Sequence, residues 1–371
     1  MEVMILSCGT GGGHNTAGKA IAEELEQRGH AVTFLDPFQL AGKHTAAYVG
    51  NSYIRLVQRS PKSFGLLYSL GEEYRKLPVR SPVYWANGKM ASQMQRFLKE
   101  HPFDAIVMTH LFPAQMLAHL PKASLPQTML VATDYTCIPF TEETDCDWYI
   151  IPSPALAGEF SRRHIPEAKI RAYGIPVRAA FRAQQSRENA CAQLGLQPQN
   201  HYLLLSGGSI GAGKLAAAAK SLQNFLTEEG NYGLIIVCGK NQRLYQSLRS
   251  IYAGNHQVRV LESTSKMSGY LKACDCFITK PGGLSSTEAA VSGIPLIHIS
   301  PIPGCETHNA TFFAQHGMSL LVEQPEQLPN AVRKLQNRET AQRMAAAQHR
   351  WVNREAAADI CNLLEQTTKK V

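Results

Sequence analysis

The feature that most constrains the fold is a repeated local order of a short apolar strand, a glycine-rich loop and a helix. It occurs near the start, where residues 5–7 lead into the loop 8–13, and again where residues 276–279 lead into the loop 280–284. Glycine lets the backbone approach a ligand closely, and the start of a helix favours negative charge. The two loops therefore predict a nucleotide-type ligand held in a cleft, with a second reactant entering from the opposite side.

Length and composition favour two α/β domains in a cytoplasmic protein. The 371 residues are too many for one ordinary core, and 44% of them are hydrophobic. The net charge of +8 selects no partner by itself, and the sequence has neither an aromatic-studded nucleic-acid motif nor a zinc finger. The nine cysteines are scattered, which favours reduced thiols. We expect no signal peptide, no membrane-spanning helix and no nucleic-acid partner.

Alternating strand and helix patterns divide the chain into two series. Strands of the first series are expected at residues 3–7, 32–35, 105–108, 129–132 and 148–151, with a helix at 14–28. Strands of the second series are expected at residues 202–206, 234–237, 258–261, 276–279 and 295–299. Such alternation implies parallel sheets, with ligands at the carboxyl ends of the strands. We therefore predict two Rossmann-like domains, residues 1–175 and 176–371. The last helix of the second domain is allowed to pack back on the first domain.

The glycine loop near the start brings a histidine to the end of the first strand. The loop lacks the Lys-Ser/Thr pair of a P-loop, and it is not a clean dinucleotide fingerprint. His14 falls in the first turn of the following helix, where the helix dipole lowers the imidazole pKa and favours the neutral form that a general base needs. A lone histidine is more often structural, but this position favours a catalytic interpretation.

Two loops of the second half suit a phosphate group. The loop with Gly207, Gly208 and Ser209 can present backbone N–H groups to it. Ser285 and Ser286 begin a helix whose N–H groups suit a diphosphate.

Acidic and amide side chains near these loops suit sugar hydroxyls. Glu288 lies one turn into the helix and can accept two hydrogen bonds from a vicinal diol such as ribose. A first-turn carboxylate is also common as part of a capping box, which is the structural alternative. Glu306 and Asn309, in the loop after the next strand, are expected to reach the same ligand.

Taken in chain order, these motifs resemble glycosyltransferase family 28. Within it, the chain is most similar to diacylglycerol glycosyltransferases, namely plant-type monogalactosyldiacylglycerol synthases and bacterial processive diacylglycerol glucosyltransferases. The stretches that carry the resemblance are Gly11-Gly12-Gly13-His14-Asn15, Ala132-Thr133-Asp134-Tyr135, Gly174-Ile175-Pro176-Val177, Gly207-Gly208-Ser209, Thr279-Lys280-Pro281-Gly282-Gly283-Leu284 with Glu288-Ala289, and Pro303-Gly304 with Glu306 and Asn309. Each stretch is weak evidence alone, but their order over nearly the whole chain is specific.

The resemblance implies a glycosyltransferase-B fold, with two Rossmann-like domains whose parallel sheets face each other across a cleft. It implies a UDP-sugar in the C-terminal domain, with Lys280, Gly282 and Gly283 beside the diphosphate. It assigns the diphosphate to Gly207, Gly208, Ser209, Ser285 and Ser286, the ribose to Glu288, the hexose to Glu306 and Asn309, and the uracil to the backbone from Leu261 to Met267.

On the acceptor side, the resemblance implies that a lipid, most simply diacylglycerol, enters near Gly12, Gly13, His14 and Asn15. Either His14 or Asp134 then serves as the base for an inverting transfer of a hexose. No metal or other cofactor is implied, because helix dipoles and Lys280 would offset the phosphate charge. Two residues depart from the family pattern: Cys305 replaces a frequent glutamine, and Ile138 replaces a frequent histidine.

A basic and aromatic segment, residues 49–94, suggests a membrane-facing surface. Its aromatic and leucine side chains could enter a lipid interface while its basic side chains meet anionic head groups. The basic residues expected to do so are Arg55, Arg59, Lys62, Arg75 and Lys76. The alternative is a pair of core helices with a solvated basic face. We expect peripheral binding to the inner face of the cell membrane.

Three other functions stay open on the sequence alone. They are transfer of N-acetylglucosamine from its UDP-sugar to another lipid, epimerisation of a UDP-sugar on the same fold, and non-enzymatic sensing of a UDP-sugar. The sequence leaves undecided the hexose, the exact lipid acceptor, processivity, the identity of the base and the oligomeric state.

Overall fold

The computed structural model describes residues 1–9, 12–42, 45–46, 48 and 60–368, with the side chains of residues 61 and 62 outside that description. The chain forms two compact units. Unit 1 comprises Met1–Arg178, Pro303–Cys305 and Asn353–Val371, and unit 2 comprises Ala179–Ile302 and Glu306–Val352.

Unit 1 is built on a six-stranded parallel sheet with the order β2-β1-β3-β4-β5-β6. Its strands are β1 (Glu2–Leu6), β2 (Ala31–Leu35), β3 (Ala105–Met108), β4 (Gln127–Val131), β5 (Trp148–Ile150) and β6 (Ile170–Arg171). Its described helices are α1 (Gly12–Gln27), α2 (Pro61–Tyr74), α3 (Pro82–Gly88), α4 (Ala91–Glu100), α5 (Leu111–Leu117) and α6 (Ala157–Arg162). Because all strands are parallel, their carboxyl ends meet at one edge, where residues 7–9, 109–110 and 132–147 lie.

The core of unit 1 forms where apolar helix faces cover this sheet. Helix α1 buries Ala17, Ala20, Ile21 and Leu25, the face that the sequence pattern predicts. The last helix of the chain, α16 (Ala356–Thr367), belongs to the same unit and adds Ile360, Cys361, Leu363 and Leu364 to this core. Arg28 and His30 both bind Glu365 of that helix.

Unit 2 contains a second six-stranded parallel sheet, with the order β12-β11-β10-β7-β8-β9. Its strands are β7 (His201–Ser206), β8 (Tyr232–Val237), β9 (Val258–Leu261), β10 (Cys276–Thr279), β11 (Leu296–Ile299) and β12 (Leu320–Val322). Its helices are α7 (Ala179–Arg182), α8 (Arg187–Leu194), α9 (Leu215–Glu229), α10 (Gln242–Ile251), α11 (Met267–Ala273), α12 (Gly283–Ser292), α13 (Cys305–Gln315), α14 (Leu328–Gln336) and α15 (Arg338–Trp351).

The predicted α/β class with parallel sheets is confirmed in both units. Each of the ten predicted strands is present with ends within two residues of the prediction. The strands β6 and β12 were not predicted; they are edge strands of only two and three residues. Among the described residues, no helix combines the length and apolar character needed to cross a bilayer.

Candidate functional site

His14 lies in the first turn of α1, directly after the first glycine loop. The start of this helix is tied to β1 because the Ser7 hydroxyl donates to Asn15 Oδ1 over 2.6 Å. Gly12 begins α1, and its carbonyl accepts from the Thr16 hydroxyl over 2.8 Å. Gly13 follows within the same turn, whereas Thr10 and Gly11 lie outside the described residues. The predicted acceptor-side residues 12–15 are therefore one continuous helix start.

Two threonines at the ends of neighbouring strands hold the His14 ring. His14 Nδ1 lies 2.7 Å from the Thr109 carbonyl oxygen and 2.9 Å from the Thr133 hydroxyl. A carbonyl oxygen can only accept, so Nδ1 carries the ring proton of the neutral imidazole. The Nε2 lone pair is then available to take a proton from a substrate. This tautomer is the one that a general base requires.

The electrostatics around His14 keep it neutral and support its charged form once it forms. Burial lowers the pKa of His14, while the charge of Asp134 and the Thr109 carbonyl act in the opposite direction. Asp134 follows β4 and thus lies at the same sheet edge. A base that starts neutral and is stabilised as a cation by a nearby carboxylate suits proton transfer near neutral pH.

A second histidine beside His14 was missed by the sequence analysis. His110 packs edge-to-face on His14 with ring centroids 4.6 Å apart, and its Nδ1 accepts from the Phe112 N–H over 3.1 Å. Burial and the neighbouring His14 hold the pKa of His110 well below its ordinary value. Its position directly after β3 is the signal that could have marked it, because polar residues at that edge lie together. We call His14, Thr109, His110, Thr133 and Asp134 the histidine site.

The histidine site lines a small cavity of about 30 Å³ in unit 1. This volume suits about one water-sized group. Part of the wall comes from the β4–β5 loop (residues 132–147), through Thr136, Ile138 and Thr141. The Ile138 that departs from the family pattern therefore makes an apolar contribution to this wall.

In unit 2, two glycine loops meet around one lysine. Gly208 has φ +69°, and a Cβ on Gly207 would overlap the Ala212 carbonyl oxygen. Both positions therefore require glycine. A Cβ at Gly208 would lie 3.1 Å from Lys280 Cε, and one at Gly282 would lie 3.4 Å from Lys280 Nζ. The Lys280 amino group thus lies over both loops, where it can meet an anionic ligand.

Lys280 is paired with a carboxylate in the first turn of α13, the helix that follows β11. Its Nζ forms an ion pair with Glu306 Oε1, and Glu306 Oε2 accepts from the Ile302 N–H over 3.0 Å. Both side chains are largely buried. Lys280 and Glu306, predicted separately as donor-binding residues, therefore form one charged pair at the ends of β10 and β11.

Two predicted donor contacts have their side chains turned into the interior of unit 2. Ser286 is fully buried, and its hydroxyl lies 2.9 Å from His298 Nε2. Asn309 is also fully buried, and its Nδ2 donates to the Pro281 carbonyl over 3.0 Å. The Asn309 side chain thus supports the loop before α12 from inside, and the Ser286 side chain links α12 to β11. Direct contact of these two residues with the donor stays a prediction. Ser285, one residue earlier than Ser286, is only partly buried.

The remaining predicted donor residues lie at the carboxyl ends of the unit 2 strands. Gly282 is the N-cap of α12, and Gly283 is its first residue. Glu288 lies on that helix and is 8% exposed. Leu261 ends β9, where its carbonyl accepts from the Cys238 N–H over 2.9 Å, and Met267 begins α11. Ser209 lies in the loop after β7, together with Gly207 and Gly208, and its carbonyl accepts from the Lys240 N–H over 2.9 Å.

The structure corrects one part of the expected basic surface. The Arg75 side chain is only 1% exposed and forms ion pairs with Glu72 and Glu142, so it cannot meet lipid head groups. Lys76, its neighbour, is 61% exposed. Arg55, Arg59 and the Lys62 side chain lie outside the described residues. In the part of the chain that is described, no group of three or more metal-ligating side chains is found.

Two family profiles match the chain in order. The profile for monogalactosyldiacylglycerol (MGDG) synthase matches residues 14–177, and the profile for the glycosyltransferase family 28 C-terminal domain matches residues 202–364. A processive diacylglycerol β-glucosyltransferase of Bacillus licheniformis is 25% identical over 90% of this chain and 86% of its own. The chloroplastic MGDG synthase of Spinacia oleracea is 26% identical over 89% of this chain and 65% of its own.

Solved structures confirm the predicted glycosyltransferase-B fold. The chain superposes on MurG of Acinetobacter baumannii with a TM-score of 0.62 and 18% identity, covering 99% of both chains. It superposes on the glycotransferase of kitacinnamycin with a TM-score of 0.67 and 14% identity, again covering 99% of both. A Neisseria meningitidis UDP-GlcNAc 2-epimerase gives a TM-score of 0.64 at 11% identity, covering 99% of this chain and 100% of its own. The fold is thus shared by transferases and epimerases, and a cleft between the sheets stays a prediction.

Proposed function

The chain belongs to glycosyltransferase family 28, and from that membership we propose that it transfers a hexose from a UDP-sugar to diacylglycerol in glycolipid synthesis. The observation that carries this proposal is the match of residues 14–177 to the MGDG synthase profile. The fold cannot separate a transferase from an epimerase, but the acceptor-side half of the chain matches a lipid-directed family. Relatives named as diacylglycerol glucosyltransferases match over most of the same residues.

In this function His14 acts as the general base. The acceptor hydroxyl attacks the anomeric carbon of the hexose while its proton moves to His14 Nε2. The bond between that carbon and the UDP oxygen breaks, UDP leaves with the electron pair, and the configuration inverts. The Nδ1 contacts with Thr109 and Thr133 fix the ring, and the charge of Asp134 stabilises the imidazolium that forms.

The donor is held by unit 2. The backbone of Gly207 and Gly208 and the start of α12 present N–H groups to the diphosphate, and Lys280 supplies a positive charge between them. On binding, the diphosphate competes with Glu306 for Lys280, which leaves the Glu306 carboxylate free for hexose hydroxyls. These groups offset the leaving-group charge without a metal ion or other cofactor.

The lipid is reached through an exposed apolar surface on unit 1. Six of the ten exposed large hydrophobic side chains found among the described residues lie between positions 66 and 85. We call this set the docking face; it consists of Leu66, Leu67, Leu70, Leu77, Val79 and Trp85. Exposed apolar side chains concentrated on one short segment mark an interaction surface, and an aromatic residue among them suits a lipid interface. The protein thus binds peripherally to the inner face of the cell membrane.

A single assay tests the proposed function. The full chain is incubated with vesicles of diacylglycerol and anionic phospholipid and with one UDP-sugar at a time, namely glucose, galactose or N-acetylglucosamine. Lipids and nucleotide sugars are then read by mass spectrometry. We expect a hexosyl-diacylglycerol and free UDP with one or two of the donors, in the presence of EDTA as well as in its absence.

The alternatives give different products in the same assay. An epimerase would produce an isomeric UDP-sugar and no glycolipid, and a sensor would leave every donor unchanged. Loss of transfer in EDTA would contradict the metal-free donor site. A His14→Ala control, which removes the base, separates enzymatic transfer from background.

A further inference from the structure

Arg75 links α2, which carries Leu66, Leu67 and Leu70 of the docking face, to the loop that contains Asp134. It follows the last residue of α2, and its guanidinium is buried. Nε and one terminal nitrogen donate to the two Glu142 oxygens over 2.8 and 2.5 Å, and the other terminal nitrogen donates to the Cys137 carbonyl over 3.0 Å and to Glu72 over 3.1 Å. The paired contacts raise the pKa of Arg75 further above its ordinary value, even though burial alone would lower it. One side chain thus satisfies acceptors on two elements.

The loop that Arg75 holds is the β4–β5 loop of the histidine site. This loop contains Thr133 and Asp134, and its residues Thr136, Ile138 and Thr141 line the same cavity as His14. On its other side the loop is held by Glu159 of α6, which accepts from the Thr136 hydroxyl and the Cys137 N–H over 2.7 Å each. The loop is therefore fixed between two charged side chains, one from α6 and one from the end of α2.

Close packing adds to the ionic contacts between α2 and the loop. A Cβ built on Gly71 would lie 3.4 Å from Pro139 Cβ, so the helix backbone passes close to the loop at this glycine. The Tyr74 and Phe140 rings meet edge-to-face with centroids 6.2 Å apart, and Phe140 has φ +72°. A non-glycine residue at positive φ is strained and persists only when its surroundings hold it. Meanwhile Leu66, Leu67 and Leu70 of the same helix remain exposed.

We propose that Arg75 is a positioning residue through which α2, when its docking face lies on a lipid surface, sets the β4–β5 loop for catalysis at the histidine site. The inference rests on the proposed function. The guanidinium of Arg75 ties Glu142 and the Cys137 carbonyl to the end of α2. A helix held on a lipid surface therefore also holds the loop, which places Asp134 and the cavity wall for an acceptor. A lysine cannot replace this residue, because its single ammonium lacks the planar fork that binds a carboxylate and a carbonyl together.

The test compares Arg75→Lys with a matched control. Arg163→Lys makes the same substitution at an arginine that binds Glu72 over 3.2 Å but forms no ion pair with the loop among the described residues. Turnover of a short-chain, dispersed diacylglycerol is measured with and without vesicles of anionic phospholipid that contain no diacylglycerol. For the wild type and Arg163→Lys we expect vesicles to increase turnover. For Arg75→Lys we expect that stimulation to disappear and turnover on vesicles to fall by about 10- to 100-fold, as for a misplaced catalytic geometry.

Three further measurements separate positioning from a general structural role. UDP affinity by calorimetry, vesicle co-sedimentation and the melting temperature should stay close to wild type in Arg75→Lys, because the donor loops and docking face are unchanged. A stability defect alone would lower the melting temperature and leave the ratio of turnover with and without vesicles unchanged. If Arg75→Lys does not fold, Glu142→Gln is measured in the same way.

The failure of this inference differs from the failure of the proposed function. A wild-type stimulation ratio in the folded Arg75 or Glu142 variant overturns the positioning role, as does a wild type that vesicles do not stimulate. A wild type that transfers no hexose to any diacylglycerol overturns the proposed function instead.

Discussion

Two histidines with a lowered pKa, His14 in unit 1 and His298 in unit 2, differ in what their ring nitrogens contact. Burial lowers the pKa of both, for His298 to about 3. His298 lies in the middle of β11 and has both ring nitrogens engaged, Nε2 by the Ser286 hydroxyl over 2.9 Å and Nδ1 by the Ser319 hydroxyl over 3.1 Å. For His14, the hydrogen bonds found among the described residues all involve Nδ1.

The difference lies in what surrounds the second nitrogen. His298 joins α12, β11 and the segment before β12, so its neutral ring is a structural link. His14 has one nitrogen oriented by the backbone, a cavity beside the ring and the charge of Asp134 nearby. A lowered pKa alone therefore does not identify a base, and it is the oriented ring beside a cavity that supports the role proposed for His14.

The largest expected effect is on catalysis at His14. His14→Ala should reduce turnover by about 10²- to 10⁴-fold, because the variant has no group to take the acceptor proton. UDP affinity should remain near wild type, because the donor residues lie in unit 2. Steady-state kinetics with saturating UDP-sugar and calorimetry with UDP measure the two quantities. Since burial lowers the pKa of His14 from 6.5, the acidic limb of kcat/KM for the wild type should lie below pH 6.5.

If His14 were a structural link like His298, the variant would show the opposite pattern. Its melting temperature would drop while turnover per folded molecule stayed near wild type. In that case Asp134→Asn becomes the variant to examine, since Asp134 is the other expected base.

The next largest effect is on stability at His298. His298→Ala leaves the Ser286 and Ser319 hydroxyls without this partner, at a cost of about 1–3 kcal/mol for each buried group that stays unpaired. Denaturant unfolding of the variant and the wild type measures the loss. Turnover of the folded fraction should change far less than in His14→Ala. An equal loss of turnover without a loss of stability would contradict a structural role for His298.

The sequence predicted the frame of both units but not which side chains face inward. Ten strands were predicted, while β6 and β12, edge strands of two and three residues, were not. His298 was missed because it is a single polar residue inside an apolar strand. Its partner Ser286 was assigned to the diphosphate together with Ser285, because both serines lie at a helix start. Consecutive residues of a helix face different sides, and only the packing of the folded protein decides which of the two is buried.

The same limit applies to the basic segment, residues 49–94, where the sequence does not show which basic side chains are buried. Arg75 and Lys76 are adjacent and look alike in sequence, yet one is buried and the other exposed. The burial of Arg75 depends on Glu142 and the Cys137 carbonyl, more than sixty residues away in the chain. The position of His14, by contrast, was predicted, because in most parallel sheets a glycine loop at the end of a strand leads into a helix at the edge where ligands bind.

A smaller effect is expected on donor affinity at Glu288. Glu288→Ala should weaken UDP binding by about 1.5–3 kcal/mol, the contribution of a hydrogen bond to a charged group. Calorimetry with UDP measures it, and Glu339→Ala, an exposed acidic residue of α15, is the matched control. Together with His14→Ala, this variant separates donor binding in unit 2 from proton transfer in unit 1. Unchanged UDP affinity would remove Glu288 from the ribose site.

The smallest expected effect, taken over one pH unit, is the change in the free energy of unfolding that follows from proton uptake by His298. In the unfolded chain this imidazole takes up a proton below its ordinary pKa of 6.5, whereas in the folded protein it stays neutral down to about pH 3. Between these values the unfolded state binds more protons, so stability falls as pH falls, by about 1.4 kcal/mol per pH unit for one proton. The contribution is fully present above pH 6.5.

Other groups titrate in the same range, so the informative quantity is the difference between the wild type and His298→Gln, which has no titrating ring. We expect the free energy of unfolding of the wild type to fall more steeply below pH 6.5 than that of His298→Gln. Parallel curves would mean that His298 takes up its proton in the folded state as well, and that burial does not hold its ring neutral.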